Sequence, residues 1–255
     1  MESVHHLFSI ITVTYNAAHT LERTMRSINA QSCKSYEHII MDGVSKDDTI
    51  AVARKYESER TRIISQPDKG LYDAMNNAIS VAKGEYLIFL NAGDKFHSKD
   101  TLQKFVDAIA SNDYPGIVYG QTNLVDDNGS YIGPRHLTAP RTLNVKSFRN
   151  GMVVCHQAMA VQRHIAPPYD LRWRFSADFE WCIKCLSRSH RNVYIDDTVI
   201  DYLYEGMTTQ NHKASLRERF RIMAHYYGWL PTMLKHIGFV ARGLKRKMCN
   251  PRARQ

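Results

Sequence analysis

Short β-rich runs alternate with segments of helical spacing through the first half of the chain, and this alternation constrains the fold more than any other feature. Phe8–Thr14, His38–Met41, Arg62–Ser65, Tyr86–Leu90 and Ile117–Tyr119 read as strands. Thr20–Gln31, Thr49–Glu59, Tyr72–Ala82 and Thr101–Ser111 read as the helices between them; Met75, Ala78, Ile79 and Ala82 fall on one side of the third. Strands with little polar alternation are buried on both faces, which calls for a mostly parallel sheet flanked by helices. The expectation is an α/β, Rossmann-like domain whose ligands lie at the carboxyl ends of its strands.

After Tyr119 the pattern changes. Asp126–Gly129 is a turn signal between Thr122–Val125 and Ser130–Ile132 and predicts an antiparallel hairpin. Gly133–Asn150 reads as a loop, Ala158–Gln162 as a strand, Ser176–Ser187 as a helix, and Val193–Ile195 and Val199–Tyr204 as late strands. From Lys213 onward the chain reads as helical and basic, interrupted near Pro231. No repeat or low-complexity linker divides the 255 residues, so the expectation is one domain over 1–210 and a basic amphipathic helical extension over 211–255.

The net charge of +9 belongs to that extension. Asn211 to Gln255 carry 11 Lys and Arg against one acidic residue, Glu218, while the preceding residues hold 23 basic against 24 acidic. A near-neutral body argues against a nucleic-acid partner, which would need a basic face on the domain itself. The extension suits an anionic partner such as a membrane surface. In it Leu216, Phe220, Met223, Ala224 and Tyr227, and later Leu234, Ile237, Phe239, Val240 and Leu244, recur at helical spacing among Lys and Arg. The competing reading packs these stripes on the domain or on another subunit.

Glu2 and two histidines precede only the short apolar run Leu7–Val13, so no secretory signal is expected. No stretch reaches the roughly 18 apolar residues of a transmembrane helix. The five cysteines are odd in number and scattered, which fits a reducing compartment. Cys182 and Cys185 form one CxxC inside a helical pattern, with no second pair, and read as buried thiols ahead of a zinc or redox site. The expected location is the cytoplasm, with the extension allowing a peripheral position at the inner face of the cell membrane.

Polar clusters follow four of the strands: Thr14-Tyr15-Asn16; Asp42 to Thr49; Gln66 to Asn76; and Asn91 to Asp94. A further acidic pair, Asp178 and Glu180, lies in the later helical segment. In this order and spacing the clusters resemble the family-2 inverting glycosyltransferases with the GT-A fold, bacterial capsule and colanic-acid-type polysaccharide enzymes in particular. The resemblance covers roughly Phe8 to Thr209, and Pro67–Asn76 with Phe89–Asp94 is its most specific piece. The dinucleotide fingerprint GxGxxG and the P-loop GxxxxGK[ST] are both absent from the chain.

The resemblance implies transfer of a sugar from a nucleotide diphosphate donor to a glycan or lipid-linked saccharide acceptor. It assigns Thr14, Tyr15 and Asn16 to the nucleoside pocket and gives Asp42 a hydrogen bond from the base; a uracil imide fits, though thymine offers the same group. It puts Asp68 beside the nucleoside or the diphosphate, and Asp94 at the end of the acidic metal motif, where Mn or Mg would share oxygens with the diphosphate. Asp178 matches the base that takes the acceptor's proton. Asn91 stands where many relatives carry a carboxylate, and its amide adds no charge. Asp73, Asn76, Asn91 and His156 are weaker candidates for the donor sugar or diphosphate.

Plainer readings stand beside these. Asp42-Gly43 also makes a turn, Ser45 or Asp48 also caps the helix from Thr49, and Asp73 with Asn76 also structures a helix start. Asp94 also has a reading as a turn residue and Asp178 as a solvated helix acid, while the three tryptophans read as core or interface ahead of sugar platforms. Two other functions use a similar sheet: a sugar-nucleotide pyrophosphorylase, whose glycine-rich cationic loop is missing from Tyr15–His19, and a non-catalytic nucleotide-sugar-binding partner.

Overall fold

The computed structural model describes residues 6–204 and 212–249, with side chains described as far as 239 after the gap. The boundary expected between residues 210 and 211, the end of the resemblance at Thr209, and the last residues from Asn250 on lie outside them.

The first half folds as its periodicity predicts. Strand β1 (Phe8–Thr14), helix α1 (Ala18–Asn29), β2 (Tyr36–Asp42), α2 (Thr49–Lys55), β3 (Thr61–Ser65), α3 (Leu71–Val81) and β4 (Tyr86–Phe89) follow in order. These four strands are all parallel, in the spatial order β3-β2-β1-β4. All seven residues of β1 and of β2 are buried, the signature of a layer covered on both faces.

Beyond β4 the sheet is mixed, because its neighbour there comes from much later in the chain. β5 (Lys95–Phe96), α4 (Thr101–Ala110), β6 (Ile117–Val125) and β7 (Tyr131–Pro134) come next, then β8 (Met159–Gln162), α5 (Ala177–Arg188) and β9 (Asn192–Leu203). β8 inserts antiparallel between β4 and β6, β9 runs parallel to β6, and β5 closes the far edge. β6 and β7 form the expected hairpin. The two late strands expected from the sequence are one strand, β9, whose pairing with β6 carries register shifts.

Two helices end the described chain, α6 (His212–Tyr227) and α7 (Trp229–Cys249). The break falls at Gly228, with φ of 88°, rather than at Pro231. Pro231 sits in the first turn of α7, where the missing N–H would have had no helical partner anyway. Helix α6 belongs to the body: Ile222 and Met223 are buried in its core, and Glu218 accepts hydrogen bonds from the backbone N–H of Arg174 (3.1 Å) and Phe175 (2.8 Å).

At the amino end of the sheet the strands meet over a buried carboxylate. Glu37 accepts from Ser9 Oγ (2.7 Å) and from the backbone N–H of Lys83 (2.5 Å). Burial pushes its carboxyl up, and these hydrogen bonds with Gly84 N–H and Arg62 outweigh that, holding it below the usual carboxylate range. Gly84 has no room for a side chain: a Cβ there would stand 2.4 Å from the Ser9 nitrogen and 2.5 Å from the Phe8 carbonyl carbon. Gly84→Ala must push β1 away from the α3–β4 turn and should cost about 2–3 kcal/mol. Urea unfolding of the variant measures it, and an unchanged midpoint would contradict the close approach.

Candidate active site

The carboxyl ends of β1, β2 and β3 converge on Asp42. Thr14 and Ser65 are its register partners on the two neighbouring strands. Asp42 Oδ1 accepts from Thr14 Oγ1 (3.0 Å) and Ser45 Oγ (2.5 Å), and Oδ2 from Ser65 Oγ (2.8 Å) and the Ser45 N–H (3.0 Å). Burial raises the carboxyl pKa, but these four bonds outweigh it and keep the group an anion. A carboxylate has about four acceptor sites. Asp42 has none left for a base and is fully buried, so the direct base contact expected of it is not available in this arrangement. The group instead ties three strand ends to the loop after β2.

That loop is also pinned to the segment after β1. Asn16, with φ of 50°, accepts from the Lys46 N–H (2.9 Å) and donates its own N–H to Ser45 Oγ (2.9 Å). Ala17 and Ala18 donate to Thr49 Oγ1 (2.8 Å) and Asp47 Oδ2 (3.1 Å). Val44 has φ of 61°, a left-handed conformation costly for a β-branched residue. The result is a rigid lip with the Tyr15 ring 63% exposed on it. Asp68 stands opposite, accepting the Gly70 N–H through Oδ1 (2.7 Å), while its Oδ2 lies against Gly43, where a Cβ would come within 2.5 Å.

Two weaker candidates are occupied by local structure. Asp73 accepts the Lys69 N–H (2.9 Å) in the first turn of α3, and Asn76 makes two hydrogen bonds to the Tyr169 backbone, 2.7 and 3.0 Å. After β4, Asp94 is 2% exposed; Oδ1 accepts the Leu203 N–H (2.9 Å) and Oδ2 the Gln157 amide (3.2 Å). Burial pushes its carboxyl up to about 7, a carboxylate short of compensating charge. Beside it, Asn91 Oδ1 is buried and accepts no hydrogen bond among the described residues.

Asp178 opens helix α5. Its Oδ1 accepts from the Tyr72 hydroxyl (3.1 Å) and from the Phe179 N–H (2.9 Å), and its Oδ2 lies 3.5 Å from His156 Nδ1. Burial raises this carboxyl too, but His156 and the Arg219 guanidinium more than compensate and hold it below the usual range. Asp178 is therefore an anion in a nearly closed setting. His156 is 5% exposed; its Nδ1 makes only this long contact to Asp178, and its Nε2 has no hydrogen bond among the described residues. Tyr72 is held by stacking on Tyr169 (5.4 Å between centroids), which stacks on Trp181 (5.1 Å). Glu180 points elsewhere, to Lys184 Nζ (2.8 Å).

The structure thus gathers Thr14, Tyr15, Asn16, Asp42 and Asp68 at one set of strand ends. It joins that set to Asp178 through α3, which carries Tyr72, and puts Asn91 and Asp94 at the end of β4. Tyr72 and Arg219 were not singled out as site residues from the sequence. Tyr72 lay inside the quoted Gln66–Asn76 run, but its partner is 106 residues away. Cys182 and Cys185 are buried thiols, their pKa raised well above the usual by burial.

A sheet of this topology, with polar loops at its strand ends, is that of the GT-A fold. Residues 9–166 match the family model Glycosyl transferase family 2, and the chain belongs to that family and is a glycosyltransferase. It is 34% identical over 187 residues to the PGL/p-HBAD biosynthesis glycosyltransferase of Mycobacterium bovis, covering 71% of this chain and 70% of that protein. It is 25% identical over 249 residues to the amylovoran biosynthesis glycosyltransferase AmsB of Erwinia amylovora, covering 90% and 78%. Among solved structures, S. aureus TarS 1-349 in complex with UDP-GlcNAc superposes with a TM-score of 0.69 at 17% identity, over 91% of this chain and 73% of that one. The mannosyltransferase PcManGT from Pyrobaculum calidifontis, in complex with GDP-Man and Mn2+, gives 0.64 at 15% identity, over 97% and 82%.

Proposed function

We propose that this glycosyltransferase moves a sugar from a nucleotide diphosphate donor, UDP first among the candidates, to a hydroxyl of a glycan or lipid-linked saccharide, with inversion at the anomeric carbon, in cell-surface polysaccharide or glycolipid synthesis. The observation that carries the proposal is Asp178: a buried carboxylate kept ionised, and aimed by Tyr72 from the helix that follows the donor-side loop. The names of the relatives support the pathway, and TarS supports a UDP-sugar donor.

The nucleoside lies on the lip made by Thr14, Tyr15 and Asn16, with the Tyr15 ring available for stacking. Asp42 shapes this pocket from behind. Asp68, whose Oδ2 accepts no hydrogen bond among the described residues, takes the base imide. The acceptor hydroxyl approaches Asp178, whose carboxylate removes its proton as the oxygen attacks the anomeric carbon and the nucleotide diphosphate departs from the opposite face. A single displacement inverts the configuration, and the sugar passes through an oxocarbenium-like state. His156 stands beside Asp178, placed to stabilise the carboxylate before transfer.

Asn91 and Asp94 fit a hard divalent cation. One offers a buried, unused amide oxygen and the other a carboxylate whose burial Arg23 only partly offsets, the oxygen donors that Mn or Mg prefers. These two side chains would hold the cation from the protein side. Such a cation would supply charge for the departing diphosphate.

A thermal-shift panel of UDP-, TDP- and GDP-sugars, with and without Mn2+, tests the donor. The largest stabilisation is expected from a UDP-sugar with metal; none from any of them would overturn the donor assignment. Tyr72→Phe tests how the base is positioned. A hydrogen bond to a charged group is worth about 1.5–3 kcal/mol, so kcat should fall about tenfold. The KM for donor should stay unchanged and the acid limb of the pH profile should move up. A purely structural tyrosine would leave that limb where it is.

A further inference from the structure

Helices α6 and α7 both carry apolar residues at helical spacing and bury them to different extents. In α6 Ile222 and Met223 are buried and Tyr226 and Tyr227 pack against the core, while Leu216, near the helix start, is exposed. In α7 the inward side is Thr232, His236 and Phe239: Thr232 is 1% exposed, and Phe239 packs against the core. Lys235 reaches back to Asn150 Oδ1 (3.0 Å), which fixes the helix on the body from the same side. The leucine stripe is left outside. Leu230 is 57% exposed, Leu234 59% and Ile237 59%, at the i, i+4, i+7 spacing of one helix face, with Trp229 61% exposed at the helix start. The sequence repeats the spacing at Ala241, Leu244 and Met248.

A helix that buries its mixed face and shows its apolar one has a partner. The charge of the segment says which kind. Arg242, Lys245, Arg246 and Lys247 follow within the same helix, and from residue 211 on only Glu218 is acidic. A second copy docked on the same face would bring two strongly basic segments together. An anionic lipid surface accepts both the apolar stripe and the charge. No described helix is long and apolar enough to cross a membrane, so the contact lies in the interface plane.

We infer that the outward face of α7, built on Leu230, Leu234 and Ile237, seats the protein on an anionic membrane surface. The inference goes beyond the donor chemistry and stands whatever the sugar is. It also suits an acceptor that is itself held in a membrane.

Full-length protein should sediment with vesicles of phosphatidylcholine and phosphatidylglycerol at low salt, much less with pure phosphatidylcholine, and be released at high salt. Leu234→Glu with Ile237→Glu should weaken binding about tenfold or more, because two apolar side chains no longer leave water. Both residues are exposed, so the melting temperature and UDP binding should match wild type. Arg242→Gln with Arg246→Gln, which leaves the apolar face intact, should lower binding to the anionic vesicles alone. Wild type left in solution with anionic vesicles would overturn the inference. So would equal binding by the double-glutamate variant, or a wild-type dimer in sedimentation equilibrium that this variant dissolves.

Discussion

Asp178→Asn is expected to leave UDP binding within about twofold of wild type and to cut sugar transfer about 10²-fold or more, the range for loss of a positioned general base. The substitution is nearly isosteric. Its amide oxygen still accepts the Tyr72 hydroxyl and the Phe179 N–H, so the aromatic stack through Tyr169 and Trp181 stays in place. What is lost is the ability to take a proton. Calorimetry with UDP separates the two effects, and a transfer assay with an acceptor that supports wild-type turnover reads the rate. The pH profile adds a check on the wild type. Burial raises the Asp178 carboxyl, but His156 and Arg219 hold it below the usual carboxylate range. A base ionised in the free enzyme stays competent as pH falls until that depressed pKa is crossed, so kcat/KM should show no loss attributable to Asp178 in the neutral region. Near-wild-type turnover in the Asn variant would remove Asp178 from its role.

How much of this was legible before the structure depended on the range of each interaction. The four parallel strands and their helices are written locally, in the periodicity of Phe8–Thr14 or Tyr72–Ala82, and the hairpin at Asp126–Gly129 in its turn residues. The insertion of β8 between β4 and β6 is a pairing across the middle of the chain that no local pattern encodes, and β5 has only two residues. Asp178 was found by resemblance; nothing in its own neighbourhood separates it from a solvated helix acid. Its environment comes from Tyr72 on α3, His156 before β8 and Arg219 on α6, three distant segments. Asp42 reads differently for the same reason. Its position after β2 marks the site, but only the convergence of Thr14, Ser45 and Ser65 reveals that its acceptors are already spent on the protein. In the two C-terminal helices the stripes look alike as sequence, and packing alone decides which of their residues join the core.

Asp94→Asn should remove a pH dependence from the unliganded protein and a metal dependence from donor binding together. Burial pushes the Asp94 carboxyl up to about 7, from an unfolded value near 3.8. The folded protein therefore binds this proton more tightly than the unfolded chain does. Stability from Asp94 is greatest when it is protonated, and it falls as pH rises from about 4 toward 7. Three units would amount to roughly 4 kcal/mol as an upper bound, at about 1.4 kcal/mol per unit. Carboxylates with lowered pKa, Asp42, Asp178 and Glu37 among them, act in the opposite sense, so the readout is the difference between wild type and variant across that range. In urea unfolding the Asn variant should gain stability relative to wild type as pH rises to neutral, because it never has to bury the charge. The same charge is what a cation beside Asn91 would neutralise. Mn2+ with UDP should therefore favour the ionised form and flatten the pH slope of wild type, with no such effect on the variant. In calorimetry at neutral pH, the gain in UDP affinity that Mn2+ confers should shrink about tenfold or more in the variant, since Asn91 supplies an oxygen but no charge. Equal metal dependence in both proteins would detach Asp94 from the metal, and a pH difference that survives on its own would leave it as a buried acid serving only the backbone of Leu203 and the amide of Gln157.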